Sequence, residues 1–182
     1  MRILPICEGG LRLCIPDETM LSEIRAYREA FLREGGSMDG TGPLRRFPEP
    51  VGWLAFNFLC ANPATVPPHL VQQTQLVCVR EADGRIVGMI QIRHRFNDFL
   101  EKYAGHIGYS VRPDERRKGY ATWMLRHTLP LCPEAGVPRV LITCLTENEG
   151  SRRTILRCGG VYESTVQEPQ SDVNLERYWI DL

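Results

Sequence analysis

The sequence contains no C-x-x-C pair and no histidines at zinc-ligand spacing, although seven cysteines (7, 14, 60, 78, 132, 144 and 158) and four histidines are present. That excludes the usual structural-zinc and dithiol-redox signatures, and no metal site is expected. The cysteines mostly lie in apolar runs such as Leu76-Val77-Cys78-Val79 and Ile142-Thr143-Cys144-Leu145, and read as core thiols. Their odd number argues against a disulfide framework and for a reducing compartment. Neither sign of charge is in excess: 22 basic residues face 22 acidic ones, so no global field draws the chain to nucleic acid or an anionic membrane. No apolar run reaches the roughly 18 residues of a membrane span. The opening MRILPICEGGLRLCIP is too short in apolar length for a signal peptide, so a cytoplasmic protein is expected. There is no internal repeat and no low-complexity block, and 182 residues suit one domain, 1–182.

What is present reads as an α+β pattern. Leu11 to Ile15 is a first strand. Pro16-Asp17 opens a helix with Asp17 as N-cap, running to about Glu34 with Leu21, Ile24, Phe31 and Leu32 inward and Gly35-Gly36 as its stop. Residues 35 to 50, GGSMDGTGPLRRFPEP, are too rich in glycine and proline for a regular element. Val51 to Cys60 reads as a short helix burying Leu54 and Phe58, with Trp53 and Phe56 in the core or on a pocket wall. Asn62 to Leu70 is a second loop. From Thr74 the period changes to strands: Gln75 to Arg80, an Asp83-Gly84 turn, and Arg85 to His94. Phe96 to Lys102 is a loop or a single helical turn. Val140 to Leu145 is β-branched enough for a central strand. A closing hairpin is expected from Val161 to Gln167 and Val173 to Asp181, turning at Glu168-Pro169-Gln170-Ser171. Residues 1–72 form a variable part and 74–182 a sheet-bearing core.

One stretch points to chemistry. In GHIGYSVRPDERRKGY, residues 105–120, the strand from His106 to Val111 carries Ile107, Tyr109 and Val111 in alternation and stops at Pro113. Arg116, Arg117, Lys118 and Gly119 then lead into a helix whose buried face is Ala121, Met124, Leu125, Thr128 and Leu129, interrupted at Pro130. Cations at the positive end of a helix dipole are misplaced unless an anion joins them. Free N–H groups, a glycine and local positive charge suit phosphate or pyrophosphate, or else make only a solvated basic turn.

The spacing Arg116-x-x-Gly119-x-Ala121, after a strand ending Val111-Arg112-Pro113, resembles the R/Q-x-x-G-x-G/A signature of the Gcn5-related N-acetyltransferase (GNAT) superfamily. It is neither a Walker loop nor a dinucleotide fingerprint. The resemblance continues through Val140 to Glu163, with Asn148, Ser151 and Gly159-Gly160, and covers about a third of the chain. It implies one mixed, mostly antiparallel sheet flanked by helices, with the strands at 106–111 and 140–145 splayed around the pantetheine arm of acetyl-CoA. It also implies a cofactor site of Tyr109, Ser110, Val111, Arg116, Arg117, Lys118, Gly119, Tyr120, Ala121, Thr122, Asn148 and Ser151, in which backbone amides from Arg117 to Thr122 hold the pyrophosphate. The implied reaction moves an acetyl group to an amine-bearing small molecule or a peptide or protein, with no nucleic-acid or membrane partner.

Such a transfer has physical demands of its own. A lysine-like amine with a pKa of about 10.4 is protonated at pH 7, roughly 4.6 kcal/mol from its reactive form, so a base or a desolvating pocket is needed. His106 is the candidate base, with Glu101 and Asp98 as alternatives; His106 can equally be a polar residue on a partly exposed strand. A backbone N–H near Val111 can polarise the thioester carbonyl. Many family members carry a tyrosine seven residues after the asparagine as proton donor, but here that position is Ile155. Ser151 can take that role, or simply serve the helix start; Tyr162 and Tyr178 are further candidates. The missing tyrosine leaves a non-catalytic acyl-CoA-binding module as the rival reading, and the basic loop a nucleotide-binding phosphotransferase, which lacks the Walker lysine.

Overall fold

The computed structural model describes residues 5–182. Asp17 caps a short 3-10 turn, its carboxylate accepting from the Thr19 N–H at 2.9 Å, and the turn runs into α1 (Leu21–Glu34). Gly35, left-handed at φ 84°, ends α1 by donating to the Phe31 carbonyl. The buried face is Ile24, Tyr27, Ala30 and Phe31, while Leu21 is half-buried and Leu32 exposed. Tyr27, not anticipated as a core residue, is fully buried because its hydroxyl has a partner: it donates to the Ser110 carbonyl at 2.9 Å.

Loop 35–49 contains one 3-10 turn, Leu44–Arg46, and leads to α2 (Pro50–Ala61). This helix does not bury Leu54 and Phe58 as the periodicity predicts. It buries Trp53, Asn57 and Cys60, and leaves Phe58 79% exposed. With apolar residues all round the helix, spacing cannot choose a face. The rotation is set by the Trp53 indole N–H donating to the Thr41 carbonyl at 2.7 Å, and by Trp53 packing beside Leu44 and Met38.

The strands form two antiparallel sheets. The first has the order β1 (Ile6–Glu8), β2 (Leu11–Cys14), β3 (Gln73–Arg80), β4 (Arg85–Arg93), β5 (Ile107–Val111). The second has β8 (Val173–Asp181) between β6 (Arg139–Leu145) and β7 (Val161–Glu168). The sequence does not announce β1, a three-residue strand before the Gly9-Gly10 turn. One face of the first sheet packs Cys14, Val77, Val79, Ile86 and Met89 against α1 and α2. The other packs Leu76, Ile90, Ile92 and Ile107 against α3 (Tyr120–Thr128), α4 (Glu149–Arg157) and the inner face of the second sheet. Met124, Leu125, Thr128 and Leu129 are buried as their spacing predicts. Cys14, Cys60, Cys78, Cys132 and Cys144 are buried free thiols; Cys7 is exposed and Cys158 half-buried.

The expected single mixed sheet is divided between β5 and β6, where splayed strands were anticipated. The two strands share one backbone hydrogen bond, His106 N–H to the Leu141 carbonyl at 2.7 Å, and then diverge. A π-turn, Leu100–Ala104, delivers the chain to this contact. Its end carbonyls are capped by Arg93, to Ala104 and Gly105, and by Arg177, to Glu101 and Lys102. Gly105 makes the approach possible: its φ is +64°, and a Cβ there would lie 2.4 Å from the Leu141 carbonyl oxygen.

Gly105→Ala therefore combines backbone strain with overlap and should lower the unfolding free energy by about 3 kcal/mol or more. Gly136→Ala, at φ +79° with nothing within 4 Å, should cost only about 1 kcal/mol. Urea unfolding of both variants measures the difference; equal losses would show that the close approach to Leu141 does not constrain residue 105.

Candidate active site

The cleft follows from backbone accounting. In the β4–β5 ladder, Arg93 N–H donates to the His106 carbonyl and Arg112 N–H to the Val87 carbonyl. Alternation then turns the N–H and C=O of Ile107, Tyr109 and Val111 away from β4, toward β6. In β6 the Leu141 carbonyl takes the His106 N–H and Thr146 N–H donates to Asn174 of β8, so Thr143 and Leu145 present their backbone groups toward β5. Past His106 and Leu141 these facing edges do not bond to each other, and among the described residues the Leu145 carbonyl alone has a backbone partner, accepting the Asn148 N–H at 2.9 Å. Two inner strand edges are thus open to an extended ligand with amide groups of its own.

Beyond β5 the chain turns through Pro113–Glu115 and Arg116 to Gly119 into α3. Gly119 is the N-cap of α3, at φ 87°, and no side chain caps the helix. The first bond that closes within the helix is Trp123 N–H to the Gly119 carbonyl at 3.0 Å, which leaves the N–H groups of Tyr120, Ala121 and Thr122 free of helical partners. These amides and the helix dipole point at one spot beside the open end of β5, an arrangement suited to a phosphate or pyrophosphate. A Cβ on Gly119 would meet no protein atom within 4 Å, so the chain needs glycine there for its left-handed φ.

The basic side chains of this loop are not three free charges. Lys118 donates to Glu115 at 2.7 Å, and Arg116 pairs with Glu34 at 2.8 Å while lying 5.6 Å from the Phe31 ring centroid. Arg117, at φ 65°, has no carboxylate partner among the described residues. Sequence proximity suggested a shared cationic cluster; Glu115 of the same loop neutralises Lys118, and Glu34 from a distant segment neutralises Arg116. Glu115 is the hub. It is 2% exposed and receives Arg80 at 2.9 Å, Arg85 at 3.1 Å and Lys118. The Arg80 hydrogen bond foremost, with Lys118, holds its carboxyl down at about 2. Arg80 also reaches the Tyr120 hydroxyl at 3.3 Å, so the hub ties the loop to the β3–β4 hairpin.

Of the other anticipated residues, Tyr109 and Ser151 are brought together: their hydroxyls lie 2.8 Å apart, joining β5 to the first turn of α4. Burial raises the Tyr109 phenol above its ordinary range. Asn148 caps α4, its side-chain oxygen accepting the Ser151 N–H at 3.0 Å. Ile155 is fully buried in the core. Ser110 faces α1, with its hydroxyl 3.0 Å from Tyr27. Ala121 and Thr122 are half-buried on the first turn of α3. The Tyr109 hydroxyl is the feature that motif reading missed; its only sequence signal is the alternation that turns it to the α4 side with Ile107.

His106 sits where β5 and β6 meet, 7% exposed and stacked on Phe96 at 3.9 Å between ring centroids. Its Nδ1 accepts the Leu141 N–H at 3.0 Å. Burial, then the nearby Arg93, pushes its pKa down to about 4, so the ring is neutral near pH 7. Glu101 is an exposed residue of the π-turn and Asp98 lies exposed just before it. Tyr162 is exposed on β7, bonded to Thr165. Tyr178 is buried and donates to Glu176 at 2.8 Å; burial and that carboxylate push its phenol up to about 12. Among the described residues no group of three or more His, Cys, Asp or Glu is placed to hold a metal, and no helix is long and apolar enough to cross a membrane.

The Glu115 hub carries a pH signature. A carboxyl depressed in the folded state adds stability that is complete above its unfolded pKa of about 4.3 and is lost as pH falls toward 2. With partly exposed partners that amounts to about 1–2 kcal/mol. Glu115→Gln should lower Tm at pH 7 and show a shallower fall than the parent between pH 5 and 2.5; parallel curves would refute the hub.

Comparison with known proteins bears on the same segments. The model of the acetyltransferase (GNAT) family matches residues 41–159, which hold β3 to β6, the uncapped helix and α4. A search of curated protein sequences finds no match. Among solved structures, the fold superposes on a ribosomal-protein-S5-alanine acetyltransferase from Vibrio fischeri with a TM-score of 0.75 at 14% identity, covering 98% of this chain and 97% of that one. It superposes on RimL, a ribosomal-protein alpha-N-acetyltransferase in complex with coenzyme A, with a TM-score of 0.74 at 12% identity and 98% of both chains. For the Microcin C7 self-immunity acetyltransferase MccE, in complex with acetyl-CoA and AMP, the TM-score is 0.70 at 16% identity, covering 96% and 94%. At these identities the structures establish the fold, and the family model over about two thirds of the sequence establishes descent: the chain belongs to the GNAT acetyltransferase family.

Proposed function

We propose that the cleft binds acetyl-CoA and that the protein transfers its acetyl group to a primary amine by direct attack on the thioester. One observation supports this above the rest: two strand edges that do not pair with each other lead straight to an uncapped helix N-terminus. That sequence of sites fits an extended amide-bearing arm ending in a pyrophosphate. When bound, acetyl-CoA supplies an activated acyl group on a thiol leaving group.

In this reading the amides of Tyr120 to Thr122 hold the pyrophosphate and Ile107, Tyr109 and Val111 align the arm. The Val111 N–H is the donor for charge developing on the carbonyl oxygen. The Tyr109–Ser151 pair gives the leaving sulfur a hydroxyl donor, which answers the isoleucine at 155. Because burial keeps the phenol protonated, Tyr109 has a proton to donate at neutral pH. His106 is the base, and it must act through Nε2, since Nδ1 holds the Leu141 N–H. The acceptor, a small molecule or a peptide or protein amine, enters over loop 35–49. Gly40 of that loop lies against the Gly108 backbone, and its carbonyl receives Gln75 Nε2 at 2.8 Å.

Acetyl-CoA-dependent mass gain across a panel of small amines, peptides and protein N-termini tests the reaction; no product with any acceptor, and no thermal shift with coenzyme A, would refute it. Ligand at about 100 times its Kd should stabilise the fold by roughly 2.7 kcal/mol. On a working acceptor, Tyr109→Phe should cost about 10- to 100-fold in kcat and Ser151→Ala less, as the phenol remains. His106→Gln should lower kcat/KM by about 10² to 10⁴-fold. In the parent enzyme the His106 acidic limb should lie near pH 4, its folded-state value, because the ring loses its acceptor only below it. A limb near 6.5 that survives His106→Gln would assign the base elsewhere.

A further inference from the structure

On its α1 and α2 side, the first sheet changes character along its length. Cross-strand pairing sets Val77, Met89 and Ser110 in one row on this face, Gln75, Gln91 and Gly108 in the next, and Gln73, Arg93 and His106 in the last. The opposite face stays apolar over the same rows, with Leu76, Ile90, Ile92 and Ile107 in the core. Polar side chains therefore gather beside His106, under loop 35–49 and across the sheet from the Tyr109–Ser151 pair; Gln73, Gln75 and Gln91 among them are buried.

Such groups are costly to bury unless they are bonded. The middle row is bonded: Gln75 Nε2 donates to the Gly40 carbonyl at 2.8 Å and Gln91 Nε2 to Gln75 Oε1 at 3.1 Å, which holds the loop down. The last row is not. Arg93 spends only Nη1, on the Ala104 and Gly105 carbonyls, and no carboxylate lies within ion-pair distance of it among the described residues. Burial pushes the Arg93 guanidinium below its ordinary pKa, offset only by the charge of Asp39, an exposed residue bonded to Ser37. A Cβ on Gly108 would lie 3.0 Å from the Gly40 nitrogen and 3.3 Å from Arg93 Nη2. Neither of these donors has an acceptor among the described residues. Two unsatisfied donors thus flank one spot on β5, two residues from His106, and both Gly108 and Arg93 are half-buried, so a ligand can reach it.

We propose that Arg93 Nη2 and the Gly40 N–H bind a carboxylate of the acceptor, so that the amine presented to His106 belongs to a small amino acid. The inference rests on the acetyl-transfer reading above and names its substrate class. Arg93 and His106 oppose each other across β4 and β5, where facing Cβ atoms are about 5 Å apart, so the carboxylate and the amine are separated by only a few bonds. A guanidinium with free N–H groups is matched by a carboxylate, whose bonds to it are charge-assisted. A polyamine would instead set a second cation against Arg93.

Steady-state acetylation by the whole protein of a panel of α- and ω-amino acids, each beside its carboxamide, provides the test. The amide keeps the size and loses the charge, and its amine is the less basic, so reactivity alone favours the amide. The acids that are turned over should nevertheless show kcat/KM at least about tenfold higher than their amides. Arg93→Gln should bring that ratio near one; an arginine that only caps the π-turn would, when replaced, slow both acceptors alike and keep the ratio. Equal rates for acid and amide in the parent would overturn the inference. So would turnover confined to polyamines or peptides, which leaves the acetyl-transfer reading standing. If no amine of any kind is acetylated, that reading falls and this inference with it. The parent comparison needs no variant and decides the question even if Arg93→Gln harms folding.

Discussion

The structure depends on a hydrogen bond that is made once and not repeated. His106 N–H reaches the Leu141 carbonyl, and from there β5 and β6 separate instead of forming a ladder. Buried strand edges without partners are costly, since each unpaired N–H or C=O loses its water without gaining a protein partner. The protein tolerates them here because both strands are held from behind, β5 by β4 and β6 by β8. Tyr27 adds a tie from α1 to Ser110, and Tyr109 one from β5 to α4. The opening is held by rigid elements, as a site that must position a flexible ligand requires.

The start of the cleft is fixed by other means. Leu141 N–H donates to the His106 ring, so one residue satisfies two backbone groups of β6 and loses most of its basicity through burial. The π-turn before it has its carbonyls capped by Arg93 and Arg177, two arginines from different sheets. This is how the two sheets are joined where they share no ladder.

At the other end, electrostatics serves placement more than attraction. Glu115 gathers Arg80, Arg85 and Lys118, and Glu34 takes Arg116, so the loop's basic side chains are largely spent on holding its shape. The backbone amides left free are those a side-chain cap would have satisfied in an ordinary helix. With zero formal net charge over the chain, no global field adds to the positive end that this local geometry creates.

Much of the fold was legible in the residues themselves. Asp17 caps the 3-10 turn that leads into α1 and Gly35 ends the helix, Asp83-Gly84 turns the β3–β4 hairpin, and Arg116-x-x-Gly119-x-Ala121 marks the uncapped helix, because caps, turns and glycine φ values are decided within a few residues. Where a choice depended on distant partners, the sequence was silent or misleading. Spacing in α2 favoured Leu54 and Phe58, but the Trp53 bond to Thr41 rotated the helix the other way. The basic loop read as a free positive cluster until Glu34 was seen across 82 residues of chain. Ile155 announced a missing hydroxyl; only the packing of β5 against α4 supplied one from Tyr109. Local backbone chemistry thus determined the elements and the ligand class they suit, while tertiary packing decided which side chains meet, since contact between segments far apart in sequence leaves no periodic trace in either.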